Sequence, residues 1–312
     1  MNKPDKIHDL VIVGAGPAAL TAAIYTARED IDTTLYEKAI VGGLAATTDW
    51  IDNFPGYREG VSGIRFAEEV QAQAERFGAK IDFGDVQKLT KNDNAIELTV
   101  DGEPVYAKSV LVATGSDHKK LGVPGEAEYH SRGVHYCATC DGAFYSGKRI
   151  AVVGGGNSGV QEAIFLTRFA DHIDLLVRSE LKADRVLIKQ LESMSDKITV
   201  HTNVAVDEIT AVDDKVDGVA ITRKSTSKKD KILVDGVFVF IGLLPNTDFL
   251  QDSEVELDES GFVLANTRLE TSVPGVFVAG DVRSDSVKQV VSAAGDGAVV
   301  ALSIREYLAE AK

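Results

Sequence analysis

A chain of 312 residues is long enough for two domains, since single cores stop growing at roughly 250–300 residues. Its 44% apolar and 26% charged content, with 28 glycines and 7 prolines, fits a loop-punctuated α/β protein rather than a fibrous or disordered one. The net charge of −15, from 48 acidic and 33 basic residues, argues against nucleic acid or an anionic membrane as a partner.

Met1–Lys6 leads into the apolar run Ile7–Val13, which is too short for a signal h-region and ends at Gly14, not at a cleavage site. No apolar stretch approaches the ~20 residues of a membrane span. Two cysteines do not make a secreted disulfide framework, so a cytoplasmic protein is expected, where a Cys-x-x-Cys is catalytic or metal-binding rather than structural.

Asp9–Val13 reads as a buried parallel strand, broken at Gly14-Ala-Gly-Pro-Ala-Ala19 and followed by an Ala-rich helix over Leu20–Arg28. A second strand, Thr33–Tyr36, ends at Glu37. This is a dinucleotide fingerprint: Gly14 allows a tight turn, Gly16 lets a pyrophosphate approach the backbone, and small Ala19 lets helix pack on strand. Glu37, about twenty residues on, suits a ribose diol. Val41–Leu44 and Asp52–Tyr57 are turn-rich stretches suited to lie against a flavin. Ile64–Phe77 has the pattern of an amphipathic helix. Ala95–Val100 and Val105–Lys108 read as a hairpin across Asp101-Gly102, and Val110–Ala113 as a strand entering the turn Thr114-Gly115. Lys119–Gly133 is irregular and reads as a linker or domain edge.

Cys137-Ala-Thr-Cys140-Asp141-Gly holds the only two cysteines. Taken alone the motif has three readings: a redox disulfide, half of a metal site, or a chance spacing. Next come a strand at Arg149–Val153, the turn Gly154-Gly-Gly156-Asn157-Ser158-Gly159, a helix over Val160–Arg168 and a strand at His172–Val177. This is a second fingerprint, so the chain contains an internal repeat of two nucleotide-binding folds. The strand ends at Arg178, with Lys182 and Arg185 on the following turn; basic residues there suit a 2′-phosphate, hence NADPH. Glu180 and Asp184 dilute that signal, and solvated helix charges are the alternative.

Strands are expected at Ile198–Thr202, Gly218–Arg223 and Val234–Ile241, with Lys224–Lys231 as a charged turn. Leu243–Thr247 reads as a return crossing, Gly275–Asp281 as strand, turn and carboxylate, and Gln289–Tyr307 as a long helix. Zinc held by His130, His135, Cys137 and Cys140 competes with redox chemistry, but structural zinc sites separate their ligand pairs by a longer loop. No metal is expected, and His135 reads as a surface or interface histidine. Two nucleotide folds and one Cys-x-x-Cys define an electron path from reduced nicotinamide to flavin to disulfide, with Asp141 as the nearest acid or base.

These motifs, with Ile241-Gly-Leu-Leu-Pro-Asn-Thr and Val278-Ala-Gly-Asp, resemble the low-molecular-weight thioredoxin reductases along essentially the whole chain. The resemblance implies a two-dinucleotide-binding flavoprotein fold of two Rossmann-like α/β domains: a discontinuous FAD domain (1–117 and 246–312) with an NAD(P)H domain (118–245) inserted. It implies FAD against Gly14, Gly16, Pro17, Ala18, Glu37, Gly43, Leu44, Asn53, Thr114 and Gly115, and from the C-terminal segment Asp281, Lys288, Gln289 and Val290. NAD(P) would contact Gly154, Gly156, Asn157, Ser158, Arg178 and Lys182. Cys140 would face the flavin, Cys137 would attack the partner disulfide, and Asp141 would donate the proton. The partner would be thioredoxin or a thioredoxin-like protein, and the assembly a homodimer whose domains rotate. The family's His-Arg-Arg-x-x-x-Arg is Leu176-Val177-Arg178-Ser-Glu-Leu-Lys182 at the matching stretch, and its Gly-Gly-Gln is Gly42-Gly43-Leu44. Residues 180–184 resemble the NADH-using flavoprotein of alkyl hydroperoxide reductase. The alternatives are therefore an NADH-dependent disulfide reductase serving a thioredoxin-like or peroxidase partner, and a non-catalytic redox sensor that holds FAD and NAD(P).

Overall fold

The computed structural model describes residues 6–48, 50–92 and 95–310; Met1–Asp5, part of the N-terminal stretch considered above, lies outside them. In chain order come β1 (Ile7–Val13), α1 (Pro17–Ala27), β2 (Thr33–Glu37), α2 (Gly43–Ala46), α3 (Gly63–Arg76), β3 (Lys80–Phe83), β4 (Val86–Lys91), β5 (Ile96–Val100), β6 (Glu103–Val112) and β7 (Ser116–His118). Then follow β8 (Val134–His135), α4 (Ala138–Asp141), β9 (Arg149–Val153), α5 (Asn157–Leu166), β10 (His172–Leu176), α6 (Arg185–Glu192), β11 (Ile198–His201), β12 (Val204–Val212), β13 (Lys215–Arg223), β14 (Lys228–Ile232), β15 (Gly236–Val239), β16 (Leu243–Pro245), β17 (Val276–Val278) and α7 (Val290–Glu310). The chain divides into two compact units, Met1–Asp117 with Leu244–Lys312, and His118–Leu243. No helix among the described residues is long and apolar enough to cross a membrane.

In the first unit one sheet runs β3-β2-β1-β6-β5-β4, with β17 also on β6. β1 lies at its centre, parallel to both β2 and β6, which is why Leu10, Val11 and Ile12 are completely buried. Its alternating side chains feed two cores. Leu10 and Ile12 join Leu35, Leu111 and Phe277 under α1 and α7, while Val11 and Val13 join Val110, Val112 and Leu250 on the other face. Each such fully buried side chain contributes about 1.5–3 kcal/mol. The hairpin at Asp101-Gly102 is present, but β6 is one strand of ten residues where the sequence suggested two. Ser109 does not break it, because its hydroxyl donates to Asp9 O at 2.7 Å. The strand changes partner instead, pairing antiparallel with β5 at its start and parallel with β17 at Val110–Val112.

Small residues bring α1 and α7 together. A Cβ on Gly297 would meet Ala18 O at 2.4 Å, so a side chain there would force the helices apart. α7 therefore fixes where the N-terminus of α1 sits.

The second unit has a parallel sheet β11-β10-β9-β15-β8 and a separate antiparallel sheet β12-β13-β14. Part of the expected charged turn 224–231 is in fact β14, paired with β13 from Val219↔Ile232 to Arg223↔Lys228. It is exposed except for Ile232, so it lacks the apolar alternation by which a strand is recognised. Arg185, expected on a turn, begins α6. Within the parallel sheet Asp174 is fully buried. Burial would push its carboxyl up, but hydrogen bonds from His201 (2.8 Å) and Arg149 (2.7 and 3.0 Å) outweigh that and hold it below the usual range.

Candidate active site and nucleotide-binding turns

The two glycines of the first turn have different surroundings. Gly14 has φ +99°, and a Cβ there would lie 2.6 Å from Ala113 O. Gly16 has φ −74°, and nothing stands within 4 Å of where its Cβ would be. Gly14 is required by the backbone, whereas Gly16 keeps a face open at the start of α1, where unpaired N–H groups and the helix dipole favour an anion. Pro17 occupies the first helical turn, and the side chain of Ala18 is buried against Gly280.

Glu37 closes the other end. One of its carboxylate oxygens accepts from Ala15 N–H and the other from Ala39 N–H, both at 2.8 Å, so it braces the turn. It also lines a cavity of about 350 Å³ with Gly14, Tyr36, Gly84, Gln87 and Asn246. A carboxylate has about four lone-pair sites, and two remain for a diol.

The other expected flavin contacts belong to the same unit. Gly43 lies against Gly16, with 3.6 Å between its Cβ position and Gly16 Cα, while Leu44 is exposed. Asn53 donates to the Gln289 side chain at 3.0 Å. Thr114 and Gly115 are clamped by Asn246, which accepts through its carbonyl from the Thr114 hydroxyl (2.7 Å) and donates its amide to Thr114 O (3.0 Å). Asp281 is largely desolvated, which pushes its carboxyl up, and Asp296 adds to the shift while Lys288 opposes it. Its side chain has no hydrogen-bond partner among the described residues. The Lys288 ammonium donates to the carbonyls of Asp281 and Arg283 and lies over the Phe262 ring at 4.2 Å, so it holds its own loop together. Val290 packs on the cluster of Ile51, Val61 and Phe66. The open face at Gly16, the cavity ending on Glu37 and a desolvated carboxylate suited to a neutral hydroxyl donor together fit a flavin dinucleotide.

The second turn repeats this chemistry. A Cβ on Gly159 would meet Gly154 O at 2.6 Å, and one on Gly155 would meet Val177 Cγ1 at 2.4 Å. Nothing lies within 4 Å of that position on Gly156. Asn157 and Ser158 open α5 and are exposed. Lys182 N–H donates to Gly155 O at 2.7 Å, which brings the 178–184 loop to the mouth of the turn. Arg178, Lys182 and Arg185 are exposed and have no ion-pair partner among the described residues. Asp184 is tied to Asn157 by two hydrogen bonds, of 2.7 and 3.0 Å. The open position at Gly156 and the exposed cations of the adjoining loop fit an anionic, phosphorylated nucleotide.

Cys137 and Cys140 form a disulfide between two half-buried residues, and Cys140 N–H donates to Cys137 Sγ at 3.1 Å. A backbone donor at that sulfur would stabilise negative charge on it once the bond opens. The expected surface histidine is corrected here: His135 is buried, with Nδ1 3.2 Å from Asp141 Oδ2 and Nε2 2.7 Å from the Tyr145 hydroxyl. Its apolar neighbours Val134 and Tyr136 were the sequence signal that could have shown this. Among the described residues no three His, Cys, Asp or Glu side chains gather as a metal site, the sulfurs of the zinc alternative bond each other and both His135 nitrogens are engaged.

A family model described as pyridine nucleotide-disulphide oxidoreductase matches residues 8–297. A thioredoxin reductase of Bacillus subtilis (strain 168) is 37% identical over 306 residues, 98% of this chain and 96% of the relative. The chain belongs to this family, among its thioredoxin reductases. The Treponema pallidum thioredoxin reductase is 36% identical over 96% of the chain and 97% of its own length. The crystal structure of the Streptococcus pyogenes thioredoxin reductase superimposes with a TM-score of 0.92 at 36% identity, covering 98% of this chain and 100% of that one. Thioredoxin reductases of this family bind FAD and NADPH. Sequence reasoning missed Asn246, Arg283, Asp296 and Tyr145. Asp296 braces the 280–283 turn by accepting from Gly280 N–H (3.1 Å) and Arg283 (3.2 Å). Asn246 lies in the Ile241–Thr247 motif without its clamp on Thr114 being visible there, and no local motif marks the other three, because each acts across the chain or through burial.

Proposed function

We propose that the chain is a thioredoxin-disulfide reductase that carries electrons from NADPH through FAD and the Cys137–Cys140 disulfide to thioredoxin. The carrying observation is that disulfide: its two cysteines are half-buried, it is followed directly by a carboxylate, and it belongs to the same unit as the second glycine turn. When bound, FAD supplies a two-electron acceptor for the nicotinamide hydride and a donor to the disulfide. Residues 1–117 and 246–312 would hold FAD through Gly14, Gly16, Glu37 and Asp281. Residues 118–245 would hold NADPH through Gly154, Gly156, Arg178 and Lys182.

Two electrons and two protons open the Cys137–Cys140 bond to two thiols. Cys137, the sulfur that already accepts a backbone N–H, would attack the partner's disulfide as thiolate. Cys140 would then displace the partner as a dithiol and re-form the bond. Asp141 would hold the proton exchanged with the sulfurs. A homodimer is the assembly we infer from the motif resemblance, and the cytoplasm is its compartment from the pattern of two cysteines in a Cys-x-x-Cys. The position of Asp184, fixed beside the turn by Asn157, supports the NADH-using alternative, because an acid there could accept a ribose diol. A KM for NADH below that for NADPH would decide for it.

The test is trapping. Cys140→Ser should abolish turnover and accumulate a Cys137–thioredoxin mixed disulfide visible by mass, while Cys137→Ser should abolish both. Full activity in Cys140→Ser would overturn the sulfur assignment.

A further inference from the structure

We propose that His135 is the positioning residue for Asp141, holding its carboxylate through Nδ1–H, and that the Tyr145 hydroxyl locks the imidazole in the tautomer that does so. The proposal rests on reading Asp141 as the proton carrier of the disulfide.

The backbone leaves His135 little freedom. β8 is only two residues long, and His135 pairs with Phe238 of β15. Its ring stacks on Phe238 at 5.1 Å and meets Tyr145 edge-on at 5.3 Å. Tyr145 comes this close because β15 offers Gly236, where a Cβ would lie 2.3 Å from the tyrosine ring. On the other side, Asp141 precedes Gly142, whose Cβ position is 2.9 Å from Leu166 Cδ2. Its main chain is thereby seated, and one hydrogen bond is enough to fix the carboxylate.

The proton positions follow from the partners. Burial, then the charges of Asp141 and Asp235, push the Tyr145 hydroxyl up in pKa and keep it protonated. Asp141 as a carboxylate can only accept, so the ring proton sits on Nδ1, 3.2 Å from Oδ2, and the bare Nε2 accepts from the Tyr145 hydroxyl at 2.7 Å. The charged and titratable groups facing this chain are Asp141 on Nδ1 and Tyr145 on Nε2. Behind Tyr145 are Asp235 and Lys148, the latter 5.3 Å from its ring centroid; Phe238 is apolar. An outer partner that fixes tautomer and orientation has the same logic as the carboxylate behind a catalytic histidine, with the roles of the two residues exchanged.

The experiment is a double-mutant cycle on the flavin-loaded full chain, with a thiol readout beside turnover. His135→Ala is expected to slow NADPH-dependent disulfide reduction by about 10–100-fold, the usual cost of removing such a partner, and to move the acid limb of the pH profile. His135→Asn, which keeps an N–H near the Nδ1 position, should recover most of the rate. In an Asp141→Asn background, His135→Ala should cost less than about twofold, because its route is already cut. Separately, the chain reduced with dithiothreitol is alkylated with iodoacetamide across pH, and labelling at each cysteine is followed by mass. His135→Ala and Asp141→Asn should displace those curves alike. If Asp141→Asn keeps full activity, the reading of Asp141 fails and the proposal with it. If Asp141→Asn is impaired, but His135→Ala multiplies the loss equally in both backgrounds and leaves both pH curves in place, His135 is a core residue only. The proposal then falls while Asp141 stands.

Discussion

Replacing Gly16 by Ala separates two tasks that the first glycine turn performs together. The new methyl meets no atom within 4 Å, and φ −74° suits any residue. Restricting the unfolded chain stabilises by about 0.4–1 kcal/mol, and a poorer helix cap costs a similar amount, so the net change should stay within about 1 kcal/mol. Gly14→Ala is different. Its left-handed φ of +99° costs roughly 1–2 kcal/mol, and a Cβ 2.6 Å from Ala113 O forces the backbone to move. A total near 3 kcal/mol would lower the unfolding temperature of a unit this size by about 5–10 °C. For FAD the order should reverse in kind: the Gly16→Ala protein folds normally but places a methyl where the pyrophosphate must approach, weakening FAD by at least tenfold, about 1.4 kcal/mol. Thermal melts of both proteins stripped of flavin, and FAD titrations by fluorescence quenching, make the comparison. The reasoning is refuted if Gly16→Ala binds FAD as tightly as the parent, or melts as early as Gly14→Ala.

Two further outcomes follow from the second unit. Arg178→Ala with Lys182→Ala should raise the KM for NADPH by about tenfold or more while leaving that for NADH within about twofold, measured by initial rates with each nucleotide; equal effects on both would place these cations outside the 2′-phosphate site. Asp174 has a folded-state carboxyl held below its ordinary value of 3.8, so it adds stability above that pH and loses it as pH falls through the lowered value. Melting temperature should therefore decline below about pH 4, less steeply in Asp174→Asn, and Arg149→Ala should cost about 2–4 kcal/mol at pH 7 by leaving a buried carboxylate half-paired. Unchanged melting in Arg149→Ala would refute that.

What the sequence made legible was local chemistry. Gly14 with Gly16 and Gly154 with Gly156 each follow an apolar run and open a helix, and their different backbone demands are visible in spacing alone. The Cys137–Cys140 pair was legible as a motif but not as a choice between redox and metal chemistry until its place between two nucleotide folds was considered. β14, Lys228–Ile232, was hidden because an exposed edge strand needs no apolar alternation. His135 was misread because a two-residue strand is too short for periodicity, leaving only apolar Val134 and Tyr136 as a hint, and its burial is imposed by Phe238 and Tyr145. The Thr114–Asn246 clamp joins residues 132 positions apart, a separation no pattern along the chain can reveal.

The most direct test of the electron path is an anaerobic titration of the FAD-loaded protein with NADPH, followed by alkylation of its thiols. The account predicts that the flavin absorbance bleaches, that uptake reaches two NADPH per chain, and that Cys137 and Cys140 become alkylated only after reduction, with oxidised thioredoxin restoring the absorbance. Cys140→Ser should take up one equivalent only. A flavin that NADPH does not bleach, or one that bleaches while Cys137–Cys140 stays closed to alkylation, would contradict it.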